Sequence, residues 1–314
     1  MTQDDTRQRY HVLQNLIQSL DQAYHGPSDA PTPVMSDASC DALMRETLKL
    51  ERWHPALKAE LQEQGKTSVT ERVGSAALTG TKTTHESRML SLGNTFDKDD
   101  LRDWGHRLAR SVERPLPGLR FVTEPKFDGL SVNLRYENGQ FVSASTRGNG
   151  KIGEVVTANL LASRLLGRAG PDSGSFPARL KGDRSKLQGV LEVRGEVYMK
   201  KSDLALYNAE AAEQGEPMLM NTRNGANGGL RQKNPEKAAN RRLSVALYGV
   251  GKTAGLNFET QTAVLGWLRI QGFAVSSENS GPLDLDEAYA ARNALEARKD
   301  TLDYDIDGVV FKLN

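Results

Sequence analysis

The sequence has a single cysteine, few aromatic residues and no long apolar run. With only Cys40, it has no internal disulfide and no multi-cysteine zinc site. No segment is long and apolar enough to span a bilayer, and residues 1–20 lack the apolar core of a signal peptide. These absences exclude a disulfide-rich secreted domain and an integral membrane protein, and we expect a cytoplasmic protein.

The sequence also lacks an excess of charge of either sign. Its 41 Lys and Arg residues are balanced by 40 Asp and Glu residues, so any contact with nucleic acid must be local. At 314 residues and 38% hydrophobic content, the chain can form one substantial domain and a second small one.

The most informative segment is residues 124–130, which reads EPKFDGL. If it ends a strand, Lys126 and Asp128 point the same way, and Gly129 permits a tight bend after them. A neutral lysine amine is a nucleophile, so this arrangement predicts a site that attacks a phosphate. Taken alone, the pattern equally fits a polar strand end with a turn glycine, and the interpretation depends on the rest of the chain.

The next segment predicts a β-hairpin that leads to an arginine. Residues 130–136 and 141–146 alternate apolar and polar side chains, and Asn138-Gly139 between them favours a tight turn. The second strand leads into Arg147, which is followed by glycines.

Two further predicted strands carry charges among apolar residues. Residues 190–198 contain two carboxylates and an arginine, and residues 305–312 begin with acids and end with a lysine. Charges within strands are costly unless they are paired or liganded, so both segments indicate a polar site. Residues 254–303 read as a mixed insertion with helices at 262–268 and 286–297.

With these motifs the chain resembles the adenylation domain of bacterial NAD⁺-dependent DNA ligases, which are covalent nucleotidyltransferases. The likeness covers nearly the whole chain, and the motifs follow the family's order. They are the nucleophile motif at 126–129, the arginine motif at 146–148, the third motif at 192–196, an arginine-rich loop at 221–232 and the fourth motif at 307–312. The resemblance implies an α+β, ATP-grasp-like nucleotidyltransferase fold of antiparallel sheets flanked by helices.

The resemblance also implies a reaction. Lys126 would attack the adenylyl phosphorus of NAD⁺, release nicotinamide mononucleotide and hold AMP for transfer to the 5′-phosphate of nicked DNA during replication and repair. Asp128 and Asp307 would lie near the lysine and a divalent cation, Mg²⁺ or Mn²⁺, and no protein ligand is assigned to that metal. Nearby cations would favour the neutral amine, and the candidates are Arg147, Arg231 and Lys312.

The resemblance places further residues around the nucleotide. Glu124 and Lys312 would lie near the adenine, and Arg147 and Glu196 near the ribose. Three interpretations of Arg223 and Arg231 stay open, namely substrate binding, anchoring of their own loop, and contact with DNA phosphate. Likewise, Glu192 and Arg194 fit either a structural ion pair or direct substrate contact.

The N-terminal segment should decide which nucleotide is used. Leu13, Leu16, Ile17, Leu20 and Tyr24 recur at helical spacing, and a second helix is predicted after Ser36-Asp37 and up to His54-Pro55. From the residues alone this is a helical hairpin that could serve packing only.

The resemblance makes residues 1–70 a helical NAD⁺-binding subdomain and residues 71–314 the adenylation domain. Nicotinamide mononucleotide would be bound by Tyr24, His25, Asp37 and Asp41. Ser91 and Leu92 would belong to a linker beside the adenine pocket. Cys40 stands where the family has an aromatic residue.

Other departures affect the arginine-rich loop and the chain end. Thr222 replaces a proline, and Gly225 is expected to make the loop more flexible. The sequence stops at Asn314, before the family's oligonucleotide-binding barrel, zinc finger and helix-hairpin-helix repeats. We therefore expect a monomer that adenylates itself and seals nicks poorly alone. Two alternatives are an ATP-dependent ligase or capping-type enzyme, which the first 60 residues argue against, and a truncated or degenerate chain that binds nucleotide or DNA without turnover.

Overall fold

The computed structural model describes residues 3–25, 37–71, 80–167, 174–182 and 187–314, without the side chains of residues 3, 21–25, 37, 38, 40 and 41. The chain divides into two compact units. The first consists of Met1–Thr84, Met89–Leu92 and Gly148–Glu154, and the second of His85–Arg88, Gly93–Arg147 and Val155–Asn314.

The described part contains both helices and strands. The helices are α1 (Gln3–His25), α2 (Asp37–Trp53), α3 (Pro55–Glu63), α4 (Lys98–Ser111), α5 (Thr157–Ala162), α6 (Lys201–Gln214), α7 (Thr222–Leu230), α8 (Pro235–Ala239), α9 (Gln261–Gln271) and α10 (Leu285–Ala297). The strands are β1 (Lys82–Thr84), β2 (Phe121–Phe127), β3 (Leu130–Glu137), β4 (Gln140–Thr146), β5 (Ile152–Glu154), β6 (Val190–Met199), β7 (Leu243–Thr253), β8 (Ser280–Leu283) and β9 (Ile306–Leu313). None of the described helices has the length and apolarity that crossing a membrane demands.

The first unit is a small helical assembly with an antiparallel β1–β5 pair. The predicted helical hairpin is confirmed as α1 and α2, and α2 ends at Trp53, one residue before His54. Tyr10 of α1 packs against Leu57 and Leu61 of α3 in its core. The Tyr10 hydroxyl also donates 2.8 Å to Oε1 of Glu51, which ties α1 to α2.

The second unit is built on two antiparallel sheets. One has the order β8-β2-β9 and the other the order β4-β3-β6-β7. The main core covers one face of the four-stranded sheet, and it includes Leu134 and Tyr136 of β3 and Val193 of β6. A smaller core packs α4 and α10 against β2 around Phe121. The predicted α+β arrangement of antiparallel sheets flanked by helices is confirmed.

The strand predictions hold closely. The predicted hairpin is β3 and β4, and its turn residues Asn138 and Gly139 have φ of 50° and 76°. The predicted strands at 190–198 and 305–312 are β6 and β9, and the helices predicted at 262–268 and 286–297 are α9 and α10.

The expectation of a flexible loop at 221–232 is wrong, since residues 222–230 form α7. The Asn221 side chain caps the helix by accepting from the Asn224 N–H at 2.7 Å. α7 then packs on β6 so closely that a Cβ at Gly225 would lie 2.3 Å from Sδ of Met199. The glycine therefore serves close packing of a helix on a sheet.

Candidate functional site

Lys126 lies near the end of β2, opposite Gly308 of β9. The next pair along the two strands is Phe127 with Ile306, so Asp307 is an extra residue that forms a β-bulge. Bulges redirect a side chain, and here Asp307 Oδ2 lies 2.7 Å from Lys126 Nζ. The Lys126 side chain stays 41% exposed, which leaves the amine open to an incoming substrate.

A second acid and an arginine complete this cluster. Arg223 of α7 donates through Nη1 to Asp128 Oδ1 at 2.6 Å, and the same nitrogen lies 3.8 Å from Asp307 Oδ2. Burial raises the pKa of Asp128 to about 6, with Arg223 opposing the rise and the Asp307 charge adding to it. The four side chains form one electrostatic unit in which two cations and two acids share contacts.

Gly129 lies in a bend between β2 and β3, as predicted, and it also has a packing role. A Cβ at this position would lie 2.2 Å from the carbonyl oxygen of Val197 on β6. Only glycine lets the backbone after Asp128 come this close to β6, so it lets the segment of Lys126 and Asp128 pack against the four-stranded sheet.

The four-stranded sheet presents polar side chains on the face away from the main core. Ser131 of β3 pairs in register with Glu196 of β6, and Asn133 pairs with Arg194. Ser131 Oγ donates to Glu196 Oε2 at 2.9 Å. Burial raises the pKa of Glu196 to about 7, while this hydrogen bond and nearby cations oppose the rise.

Glu192 and Arg194 are both bound to the segment before α4. The Glu192 carboxylate, 1% exposed, accepts from the N–H groups of Glu86 and Ser87 and from Asn133 Nδ2 at 2.8 Å. Arg194 Nη2 donates to the Ser87 carbonyl at 2.6 Å and lies 3.8 Å from Glu192. Both side chains therefore hold residues 86 and 87 against β6.

Glu124 and Lys312 meet across β2 and β9. Lys312 Nζ donates to Glu124 Oε2 at 2.9 Å and to the Tyr248 carbonyl at 2.8 Å. Burial lowers the pKa of Lys312, and the Glu124 charge opposes this. Sequence reasoning missed Tyr248 of β7 and Gln261 of α9, which complete this group. Tyr248 sits in an apolar strand and Gln261 starts a helix, so neither forms a local pattern of catalytic type.

Three of these residues, Lys312, Tyr248 and Gln261, border a pocket of about 490 Å³, a size that accommodates a small organic ligand. Arg194, Tyr248 and Lys312 line it together with apolar residues such as Phe258. Within the described part of the chain, Nε of Arg194 is buried without a hydrogen-bond partner. Such an orphaned donor beside an apolar pocket suits a ligand with polar atoms.

The other predicted site residues are less closely grouped. Arg147 follows β4, and its carbonyl lies 3.1 Å from Nε2 of His85. Arg231 is the C-terminal cap of α7. In the first unit, Ser91 and Leu92 are exposed. The helix bounds place Tyr24 and His25 in the last turn of α1 and Asp37 and Asp41 in the first turn of α2, but these four side chains lie outside the described residues.

The residues of the cluster fit a magnesium ion whose remaining ligands are phosphate oxygens of the substrate. No group of three His, Cys, Asp or Glu side chains suited to a metal occurs in the described ranges. Mg²⁺ commonly takes only one or two carboxylates together with phosphate oxygens and water. Asp128 and Asp307 supply two such carboxylates next to Lys126.

The sheets and the polar cluster define a nucleotidyltransferase fold, and comparisons with known proteins agree. Residues 79–314 match the family described as NAD-dependent DNA ligase adenylation domain. Residues 3–74 match the family described as DNA ligase-like, N-terminal NAD⁺-binding domain. The chain therefore belongs to the NAD-dependent DNA ligase family.

Curated relatives support this membership. A DNA ligase of Chloroflexus aggregans is 40% identical over all of this chain, one of Xanthomonas euvesicatoria is 40% identical over 99% of it, and DNA ligase 1 of Deinococcus deserti is 41% identical over all of it. The chain spans 44%, 35% and 43% of the lengths of these three relatives.

Proposed function

We propose that this chain carries out the self-adenylation step of an NAD⁺-dependent DNA ligase. Lys126 Nζ attacks the adenylyl phosphorus of NAD⁺ and forms a P–N bond as the P–O bond to nicotinamide mononucleotide breaks. The product is a lysyl-AMP that passes to the 5′-phosphate of nicked duplex DNA in replication and repair. The observation that carries the proposal is Lys126 Nζ, which is partly exposed and lies 2.7 Å from Oδ2 of Asp307.

The attacking amine must lose a proton, and we propose Asp307 as the acceptor. Asp307 Oδ2 is in hydrogen-bond contact with Lys126 Nζ and is therefore placed to take that proton. Arg223 touches both acids, so it offsets the negative charge that gathers as a phosphate approaches Asp128 and Asp307.

Residues beyond this cluster would bind the nucleotide. Glu124 and Lys312 would meet the adenine, and Arg147 and Glu196 the ribose. Mg²⁺ held by Asp128, Asp307 and the phosphates would neutralise phosphate charge. The first unit would bind the nicotinamide mononucleotide half of NAD⁺, since it matches an NAD⁺-binding domain. We further propose that the protein acts as a monomer in the cytoplasm.

The test is intact-mass spectrometry of the chain after any bound AMP has been removed. The chain is incubated with Mg²⁺ and either NAD⁺ or ATP, and the modified residue is mapped. We expect one added adenylyl group with NAD⁺ only, on Lys126. Labelling by ATP only would assign the chain to the ATP-dependent branch, and labelling by neither would indicate a nucleotide-binding or DNA-binding fragment without turnover.

Substitution of the nucleophile sharpens this test. Lys126→Ala is expected to abolish covalent AMP, because no other amine in the cluster can replace Nζ. Lys151→Ala removes an exposed lysine and is expected to leave labelling unchanged. Circular dichroism should show the same fold for both variants. A folded Lys126→Ala variant that still gains AMP would disprove the assignment of the nucleophile.

A further inference from the structure

A closed ring of hydrogen bonds joins Glu124 to Gln261, Lys312 and Tyr248, three residues that line the pocket. Glu124 is 3% exposed, and both of its carboxylate oxygens have partners. Oε1 accepts from Gln261 Nε2 at 2.7 Å, and Oε2 accepts from Lys312 Nζ at 2.9 Å. The same two donors reach the Tyr248 carbonyl oxygen at 2.9 Å and 2.8 Å. The ring fixes both the position and the orientation of the carboxylate.

Gln261 is the member of this ring that comes from a helix. It is the first residue of α9, next to the N-cap Thr260, whose side chain accepts from the Ala263 N–H at 3.1 Å. The following residue, Thr262, donates its N–H to Asn314 Oδ1 at 2.9 Å just after β9. The first turn of α9 is therefore fixed by the Thr260 cap and by Asn314, which lies two residues after Lys312.

The ring determines which hydrogen bonds Glu124 can offer to a ligand. Each carboxylate oxygen already accepts from a donor of the protein, and its remaining lone pairs can only accept again. Such a group pairs with a base that carries an exocyclic amino group. The carboxylate disfavours binding of a base with an oxo group at the same position, because two acceptors that face each other both lack a hydrogen-bond donor.

We propose that Gln261 is a positioning residue that sets the base selectivity of adenylation by holding Glu124 as a hydrogen-bond acceptor. This inference rests on the proposed function, in which Glu124 meets the adenine. Without the Gln261 donor, Glu124 Oε1 is buried without its partner. The carboxylate then rotates toward Lys312 or takes up a proton, and a protonated carboxyl group can donate to an oxo group.

The test compares NAD⁺ with nicotinamide hypoxanthine dinucleotide, which has an oxo group in place of the adenine amino group. Gln261→Met keeps the length and volume of the side chain and removes its donors. We expect the ratio of kcat/KM for the two dinucleotides to fall about tenfold, the lower end of the effect of losing one hydrogen bond to a charged group. Ile270→Gln, at a 69% exposed position of the same helix, should leave the ratio unchanged.

Two further variants establish that Gln261 acts through Glu124. Gln261→Lys restores a donor and is expected to recover much of the preference for NAD⁺. In a Glu124→Gln background, where the amide can donate or accept, adding Gln261→Met is expected to change the ratio no further. A direct contact between Gln261 and the base would instead lower the ratio again in the double variant, and that result would overturn the inference.

The outcomes also separate this inference from the proposed function. If the unsubstituted chain is labelled by neither dinucleotide, the proposed function fails and the inference fails with it. If the unsubstituted chain prefers NAD⁺ and a folded Gln261→Met variant keeps the same preference, the inference alone is refuted.

Discussion

At the scale of single residues, the site combines acids whose charged forms are disfavoured by burial. Burial raises the pKa of both Asp128 and Glu196, to about 6 and about 7. Between the ordinary pKa values of 3.8 and 4.5 and these raised values, the folded protein holds protons that the unfolded chain has released. The site therefore becomes less favourable for folding as the pH rises, which is a common feature of residues arranged for function.

This leads to a prediction for Glu196. The folded pKa of about 7 exceeds the ordinary value of 4.5, so its contribution to stability is present below about pH 4.5 and is lost as the pH rises to about 7. Glu196→Gln does not titrate and still accepts from Ser131. We expect its unfolding midpoint to exceed that of the unsubstituted chain by about 3–6 °C at pH 8, with little difference at pH 4.5.

Thermal unfolding followed by fluorescence over pH 4.5–8 checks this expectation. Glu213→Gln replaces an exposed glutamate of α6 and serves as the matched control, with no pH-dependent difference expected. A Glu196→Gln variant that is less stable at pH 8 than at pH 4.5, relative to the unsubstituted chain, would contradict the assigned direction of the pKa shift.

Much of the cluster could be predicted because its residues lie in short motifs. Lys126 and Asp128 are two positions apart, and Asp307 and Lys312 lie in one strand. Gln261 could not be predicted, because its contact with Glu124 joins residues 137 positions apart through a helix in the insertion. The bulge at Asp307 was equally hidden, since it depends on the register of β2 against β9.

At the scale of elements, α7 contains one glycine that close packing requires and a second glycine that it does not require. Gly225 faces Met199, and a Cβ there would lie 2.3 Å from Sδ, whereas a Cβ at Gly228 would meet nothing within 4 Å. The resemblance implied an arginine-rich loop at 221–232, and Gly225 was expected to make that loop more flexible. The packing of α7 on β6, together with the Asn221 cap, overrides the low helix propensity of glycine.

The same helix offers a matched pair of substitutions. Gly228→Ala is expected to raise the free energy of unfolding by about 0.5–1 kcal/mol, because alanine favours the helix and has room. Gly225→Ala gains the same preference but must displace the buried Met199, so we expect a net loss of about 1–3 kcal/mol. Urea titration of both variants measures the difference. Equal stabilisation by the two substitutions would show that Met199 moves aside easily.

At the scale of the whole molecule, the two compact units and the two family matches divide the chain in slightly different ways. The matches separate between residues 74 and 79, whereas the first unit extends to Thr84 and includes the strand Ile152–Glu154. The β1–β5 pair explains this difference, because it joins segments that are far apart in the sequence. The division at residue 70 that the resemblance implied stays a prediction, and a pairing of such distant segments leaves no local pattern in the sequence.

The binding role proposed for the first unit gives another prediction. If the first unit binds the nicotinamide mononucleotide half of NAD⁺, His25→Ala and Asp37→Ala should lower kcat/KM for self-adenylation by about ten- to a hundredfold. This is the usual effect of losing a hydrogen bond to a charged group. Rates of lysyl-AMP formation at varied NAD⁺ concentration measure it. Asp4→Asn, an exposed change in α1, is the control, and undiminished rates for both alanine variants would refute the assignment.

The pairing of β2 with β9 also affects how the protein is made. Lys126 and Asp307 are 181 positions apart, so a ribosome adding about 5–20 residues per second needs roughly ten to forty seconds between them. During this interval β2 lacks the partner strand that completes its sheet. The nascent chain therefore carries an unpaired strand edge that invites aggregation, and we expect its yield during synthesis to depend on chaperones that shield such edges.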